Sequence, residues 1–491
     1  MTVTMRSQRP DRRPRITLRA ALLAYLALMP VMVLQGLPFT GSKLQPADVV
    51  FLAPLLLALA SFRARREPTL PRLLAAWGCL LAAALASAIA APRSAASLLE
   101  VAAYAYMGLI IFVVMEALRT WEDWIAAARA WIAASTGVAL LGLAGIGLGL
   151  AGIATPFAQR VPDFFVIHRP VWTLSSTFIA APAPNMACGY LLVGVLLSLG
   201  MSAHAGIRHR AWYAAAAVVH AAAILFTFSR GWMAAGLALV IFLRQFRTPS
   251  ARLVTGAVAG AVIAFAILTE LLAVWNVTGL SFTRSAEPRG GAGEYPGHTA
   301  QLDADVPLIR LRAEVAYVPY GRALLRKAEL AMFSERPLLG IGPGRFAHEL
   351  YRRQREEGER WSGLRVAAPW DPHSTYLGAL AELGAFGFAA VCLVMGVVIS
   401  EGVRAVRRSV RAGSPHAPLA WAIFGCVVAY AAWGWHDDLL TKRWVWAAAA
   451  MASSAALLLV EQSRYAKAAA REPGRGPLQA AFGAAASRSQ A

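Results

Sequence analysis

The chain has 491 residues, of which 58% are hydrophobic and only 15% charged, with a formal net charge of +20. Soluble chains carry roughly 25% charged residues, so this composition excludes an ordinary water-soluble domain. The basic excess is not a nucleic-acid signal either, because Lys and Arg recur at alternate gaps between apolar runs instead of forming one patch.

In chain order, a basic stretch at 1–19 ("RSQRPDRRPR") precedes a first apolar span near 20–39. No small-residue cleavage pattern follows it, so an uncleaved first helix is expected. Spans near 46–62, 73–91, 98–117, 132–153 and 186–202 complete an N-terminal group within 20–210. Region 211–400 holds spans near 211–228, 231–243, 253–275 and 376–400, together with a long connection at 277–372. Two more spans, near 418–435 and 444–460, fall within 401–461, and a basic, Ala/Gly-rich tail at 462–491 is expected to lack fixed structure. The fold class expected is an all-α polytopic membrane protein of about 12 transmembrane helices, with one large outer loop between the ninth and tenth.

Counting the N-terminus as cytoplasmic puts "RARREPTLPR", "IRHR", "RQFRTPSAR", "RAVRRSVR" and the C-terminal tail on that same side, with more than half of the 47 Lys and Arg. That asymmetry is the positive-inside pattern. It places both termini in the cytoplasm and, with no organelle signal, makes a bacterial inner membrane the expected location. The four cysteines (79, 188, 392 and 426) lie inside apolar runs without CxxC spacing, which implies neither a disulfide nor a metal.

Both long connections, 154–185 and 277–372, fall on the outer side. The connection 277–372 starts glycine- and charge-rich ("SAEPRGGAGEYPGHTAQLDAD") and is expected to lack fixed structure there. Its second half contains "YGRALLRKAELAMF", where Leu324, Leu325, Ala328, Ala331 and Met332 share one helical face while Arg322, Arg326 and Glu329 share another. Such a helix suits the membrane–water boundary. "GIGPG" then breaks it, and a second polar helix, "AHELYRRQREEGER", precedes Pro372. The glycine turn has the composition of a phosphate cradle, but no Lys-Ser/Thr follows and no strand precedes, so a helix break is the simpler reading.

Chemistry on the outer side is confined to a few groups. Ser229-Arg230-Gly231 forms a minimal turn between two spans, which holds Arg230 at the headgroup level on the side where anchoring arginines are disfavoured. Arg322 and Arg345 come from the long loop. His373, with Asp371 before it, stands at the start of the tenth span, as either a helix-start residue or a base. Glu382 lies nine residues beyond it, about 13 Å along a helix, where it would serve either chemistry or the neutralisation of Arg230. His436, Asp437 and Asp438 resemble a partial metal site, but one His and two adjacent Asp rarely converge on one ion. No cofactor or metal is expected. Arginines with one histidine suit a lipid diphosphate: guanidinium binds phosphate oxygens in bidentate fashion, diphosphate leaves readily when its charge is stabilised, and sugar transfer then needs only a base.

The stretch "HSTYLGALAELGAFG" reads His-Ser, nine residues, Gly, two residues, Gly, and resembles the signature of the O-antigen ligase family, within the O-antigen ligase and polymerase superfamily of membrane glycosyltransferases. "TFIAAPAPNMACGYL" resembles that family's entry to a span at Pro184-Asn185, and "FTFSRGWMAAGLAL" its Ser-Arg-Gly turn. "GRALLRKAELAMFSERPLLGIGPGRF" resembles its outer-loop pattern at Arg322, Pro337, Gly340, Gly342 and Phe346. The resemblance implies the fold of type C glycosyltransferases, an undecaprenyl-type polyprenyl-diphosphate-linked glycan donor, a lipid or glycan acceptor, and metal-independent inverting transfer at the periplasmic face. It implies His373 as base and Arg230 and Arg322 as diphosphate ligands, with Arg345 a looser match and Ser229 and Asn185 in support. The family commonly carries an aromatic residue a few positions after the loop arginine, where this chain has Arg326. A glycan ligase is the expected function. A repeat-unit polymerase or protein O-glycosyltransferase shares the donor chemistry, and a lipid or polysaccharide transporter is the rival of another class, expected to show repeated halves and broken helices.

Overall fold

The computed structural model describes residues 12–31, 45–63, 71–92, 94–153, 155, 157–161, 171–173, 184–204, 207–227, 229, 231–246, 309–310, 316–317, 320–356 and 372–471. Thirteen helices are described: α1 (Arg12–Leu28), α2 (Pro46–Arg63), α3 (Arg72–Ala90), α4 (Ala95–Ala117), α5 (Trp121–Leu150), α6 (Pro184–His204), α7 (Ile207–Leu225), α8 (Gly231–Leu243), α9 (Tyr320–Glu335), α10 (Phe346–Glu356), α11 (Thr375–Arg411), α12 (Ala417–Trp433) and α13 (Arg443–Arg471). Two short antiparallel strand pairs accompany them: β1 (Gln159–Val161) with β2 (Val171–Thr173), and β3 (Ile309–Arg310) with β4 (Ala316–Tyr317).

Seven of these helices are long and apolar enough to cross a bilayer: α2 to α6, α11 and α13. Four shorter apolar segments, Thr17–Leu28, Arg210–Leu225, Ala234–Leu243 and Ala417–Trp433, stand where further spans are expected. The expected ninth span, 253–275, lies outside the described residues. Three boundaries are corrected. The first helix stops at Leu28 instead of 39, with Pro30 unable to continue it. The fifth starts at Trp121 instead of 132, because Thr120 caps it: its hydroxyl oxygen accepts from Asp123 N (3.2 Å) and donates to Asp123 Oδ2 (2.8 Å). The last helix continues to Arg471, past the expected start of an irregular tail at 462.

The core forms around α13. Its alanines at 447–450, 452, 455 and 456 are buried, and small residues let neighbouring backbones approach closely. Large aromatic residues fill the space left, and three of their indole N–H groups reach backbone carbonyls: Trp124 to Met451 (3.0 Å), Trp446 to Leu440 (2.8 Å) and Trp77 to Tyr104 (2.8 Å). Exposed Leu52, Leu56, Ile89, Val218 and Leu225 form part of an apolar periphery suited to lipid.

Among the described residues, polar contacts sort the helix ends into two sets. One joins Ser61, Glu116 and Arg119, and also Arg19 with Asp123. The other joins Asp48 with Arg443 through a bidentate pair (2.7 and 2.8 Å), Asn185 with Ser229, and Thr375 with Asp437. The second set contains the ends expected to be outer, and it holds the candidate site.

Candidate active site

Ser374, not His373, starts α11. Its backbone is extended (φ −152°, ψ 124°) and its hydroxyl accepts from Leu377 N at 3.3 Å, the geometry of an N-cap. The next residue ties this helix end to the turn between α12 and α13. Thr375 N donates to Gly434 O (2.7 Å), Thr375 Oγ1 donates to Asp437 O (2.8 Å), and the same oxygen accepts from Leu439 N (2.9 Å). Tyr376 adds a bond from its hydroxyl to Ala431 O (2.6 Å). His373 is therefore the residue just outside a rigidly held helix end, half-buried, with no capping duty.

Nine residues beyond Thr375, α11 breaks. Gly384 has φ 67° and ψ −165°, a conformation nearly confined to glycine. The break frees two N–H and two C=O groups, and the glycine turn after α9 takes all four. Ala385 N donates to Pro337 O (2.8 Å) and Phe386 N to Leu338 O (3.4 Å), while Ile341 N donates to Ala381 O and Gly342 N to Glu382 O (both 3.0 Å). A Cβ at Gly384 would fall on the Leu338 carbonyl, and one at Gly340 (φ 69°) on the Glu382 carbonyl. Two glycine turns, one in the membrane helix and one in the loop, are thus built to fit each other.

Glu382 completes this junction. One carboxylate oxygen accepts from Gly344 N and the other from Phe346 N, each at 2.9 Å, and the second donor opens α10. The carboxyl group therefore satisfies helix-start N–H groups that have no partner within the helix. The turn's N–H groups do form a cradle, but its occupant is the protein's own carboxylate. Ser87 Oγ adds a bond to Glu382 O (2.8 Å), which ties α3 to the same point.

The other expected site residues divide. Ser229 Oγ donates to Asn185 Oδ1 at 2.6 Å, and Gly231 N donates to Ser229 Oγ at 3.1 Å, a contact that joins the start of α6 to the α7–α8 connection. Arg345 donates to Pro92 O (3.0 Å), beside the α3–α4 connection. Arg230 and Asp371 lie outside the described residues, and Arg322 is described only as a backbone position in the first turn of α9.

Four residues not expected at the site stand beside it. Arg326, on α9, places its guanidinium carbon 5.5 Å from the ring centre of Trp435, with Nη2 3.5 Å from His436 Nδ1. Glu329, one turn further, is 1% exposed, and neither carboxyl oxygen has a hydrogen-bond partner among the described residues. Burial pushes its pKa up to about 8, against the pull of Arg326 and with a push from Asp438. The helical face shared by Arg322, Arg326 and Glu329 was visible in the chain. What faces it, the turn after α12, was not.

Long apolar helices packed around a buried central helix, with their polar contacts gathered at the ends, define a polytopic membrane protein. Residues 215–392 match the family model described as O-antigen ligase, and the chain is similar to that family over this stretch. The match takes in Ser229, α9, the glycine turn, His373 and the break at Gly384, and it supports a membrane enzyme of the ligase and polymerase type with lipid-linked glycan and acceptor substrates. No curated protein matches the chain significantly.

Proposed function

We propose that this protein transfers a glycan from a polyprenyl diphosphate to an acceptor hydroxyl at the periplasmic face of a bacterial inner membrane. The observation that carries the reading is the position of His373, immediately before a capped helix end that is locked to the α12–α13 turn. A histidine held just outside that helix end, where Ser374 already serves as the cap, is placed to act as a base. His373 accepts the proton of the acceptor hydroxyl as that oxygen attacks the anomeric carbon. The bond from that carbon to the diphosphate breaks, the leaving diphosphate keeps the electron pair, and configuration inverts. Arg230 and Arg322, with Arg345, bind the diphosphate and stabilise its growing charge. Whether the acceptor is a separate lipid or a growing glycan distinguishes ligase from polymerase, and the donor chemistry is the same.

One feature favours a transporter: a broken membrane helix. In transporters, however, the freed backbone groups face the cargo, whereas at Gly384 the loop at 337–342 consumes them.

The test compares two variants in a purified transfer assay with lipid-linked donor. His373→Asn should retain thermal stability and donor binding and turn over at least ~100-fold more slowly. Ser374→Ala should lose about 1 kcal/mol of stability and keep most of its turnover. A His373→Asn protein within a few-fold of wild type would place the base elsewhere.

A further inference from the structure

The face of α9 that carries Arg326 and Glu329 meets the exposed end of α12 at Trp435 and His436, and nothing in the reaction proposed above uses these four residues. Arg326 is half-buried. Its guanidinium lies against the Trp435 ring at 5.5 Å, and Trp435 is 45% exposed. An arginine braced on an aromatic face keeps its edge N–H groups in one plane, which suits two parallel bonds to an oxyanion. His436 Nδ1, 3.5 Å from Nη2, brings a second polar ring to the same edge.

Glu329 is the second observation. Three residues from Arg326 on a helix, a carboxylate ordinarily forms an ion pair with it. Here the side chain is buried and makes no hydrogen bond among the described residues, although Arg326 and Asp438 are both close enough to act on its charge. The guanidinium is directed to Trp435 and His436 instead. Its nearest carboxyl neighbour on the helix is withheld from it, and a buried carboxyl without a partner retains its proton at neutral pH, so Arg326 keeps its charge for an external partner.

We propose that Arg326, braced by Trp435 and adjoined by His436, binds an oxyanion of the donor, either a phosphate or a carboxylate of an acidic sugar. This site deepens the transferase reading and rests on it for the identity of the donor. Its location, α9 against the same turn to which Thr375 is bonded, ties the site to the start of the helix that follows His373.

The experiment measures binding, so that loss of transfer activity does not decide it. Purified full-length protein is titrated with inorganic diphosphate in one arm and with glucuronate in the other, comparing wild type with Arg326→Lys, Arg326→Gln and Trp435→Leu. Arg326→Lys retains the charge and loses the planar fork, and thermal unfolding of each variant confirms that it is folded. The site predicts at least a ~10-fold loss of affinity in one arm for both Arg326 variants, and a smaller loss in the same arm for Trp435→Leu. A loss with diphosphate alone assigns the site to the phosphates, and a loss with glucuronate alone assigns it to the glycan. Folded Arg326 variants that bind both probes as wild type does would overturn the proposal and leave Arg326 as a packing contact. Failure of the transferase reading would appear separately, as absence of turnover in a wild-type protein that still binds the probe.

Discussion

Glu382→Gln separates structure from chemistry at the one carboxylate expected to serve the site from within a membrane helix. The glutamate accepts two backbone N–H bonds of 2.9 Å, from Gly344 and Phe346, one on each oxygen. Such hydrogen bonds contribute about 0.5–1.5 kcal/mol each in net terms. Glutamine has the same shape but only one acceptor, so one bond survives in weaker form and the other N–H faces an amide donor. An unsatisfied buried donor adds about 1–3 kcal/mol, which brings the total to roughly 2–4 kcal/mol, a large fraction of the ~5–15 kcal/mol that holds a typical fold together. The damage should be local. The glycine turn at 340–344 and the start of α10 should detach from α11, while the Thr375 clamp stays in place. The assay is thermal unfolding in detergent alongside limited proteolysis, and the expected result is a melting point several degrees lower with new cleavage between 336 and 346. A catalytic Glu382 predicts the opposite, with normal melting, a protected loop and lost turnover. That outcome would refute the structural assignment.

Gly384→Ala should be at least as damaging, because its φ of 67° and the Leu338 carbonyl at the Cβ position act together; a variant with wild-type melting would show that the break can close into regular helix. Glu329 predicts a pH dependence. Its folded pKa of about 8 lies above the ordinary 4.5, so the folded protein holds a proton that the unfolded chain has lost. Stability should therefore be highest below about pH 4.5 and fall as pH climbs to about 8, by up to about 1.4 kcal/mol per pH unit. Melting points of Glu329→Gln should show that slope flattened, and an unchanged slope would assign it to another group. Topology is checked in a background lacking the exposed cysteines Cys79 and Cys392. Ser334→Cys, exposed on α9, should react with an impermeant thiol reagent in spheroplasts, and Arg407→Cys, exposed near the end of α11, only after permeabilisation. The reverse pattern would put His373 on the cytoplasmic side.

The sequence by itself determined the solvent and the order of the parts. A chain with 15% charged residues and recurrent apolar runs has to cross lipid, since only helices satisfy their own backbone there. The face of α9 could be read from its 3.6-residue period, and the family resemblance from the spacing of His373, Gly384 and Gly387. Local signals also placed the turn at Gly340, Gly342 and Gly344, but not its partner. That Gly384 breaks a helix and admits this turn depends on Pro337 and Leu338, some 46 residues earlier in the chain. No periodicity encodes such a pairing, and the break itself falls inside an apolar run that reads as continuous helix. Ser374 took the capping role from His373 because capping depends on backbone angles and not on the residue's type alone. Glu382 resolved into a clasp for the loop, and Arg326 met Trp435 and His436, only when the ends of α9, α11 and α12 came together. A helix pattern states which side chains share a face; the tertiary structure decides what that face meets, because packing joins residues by their position in space and not by their separation along the chain.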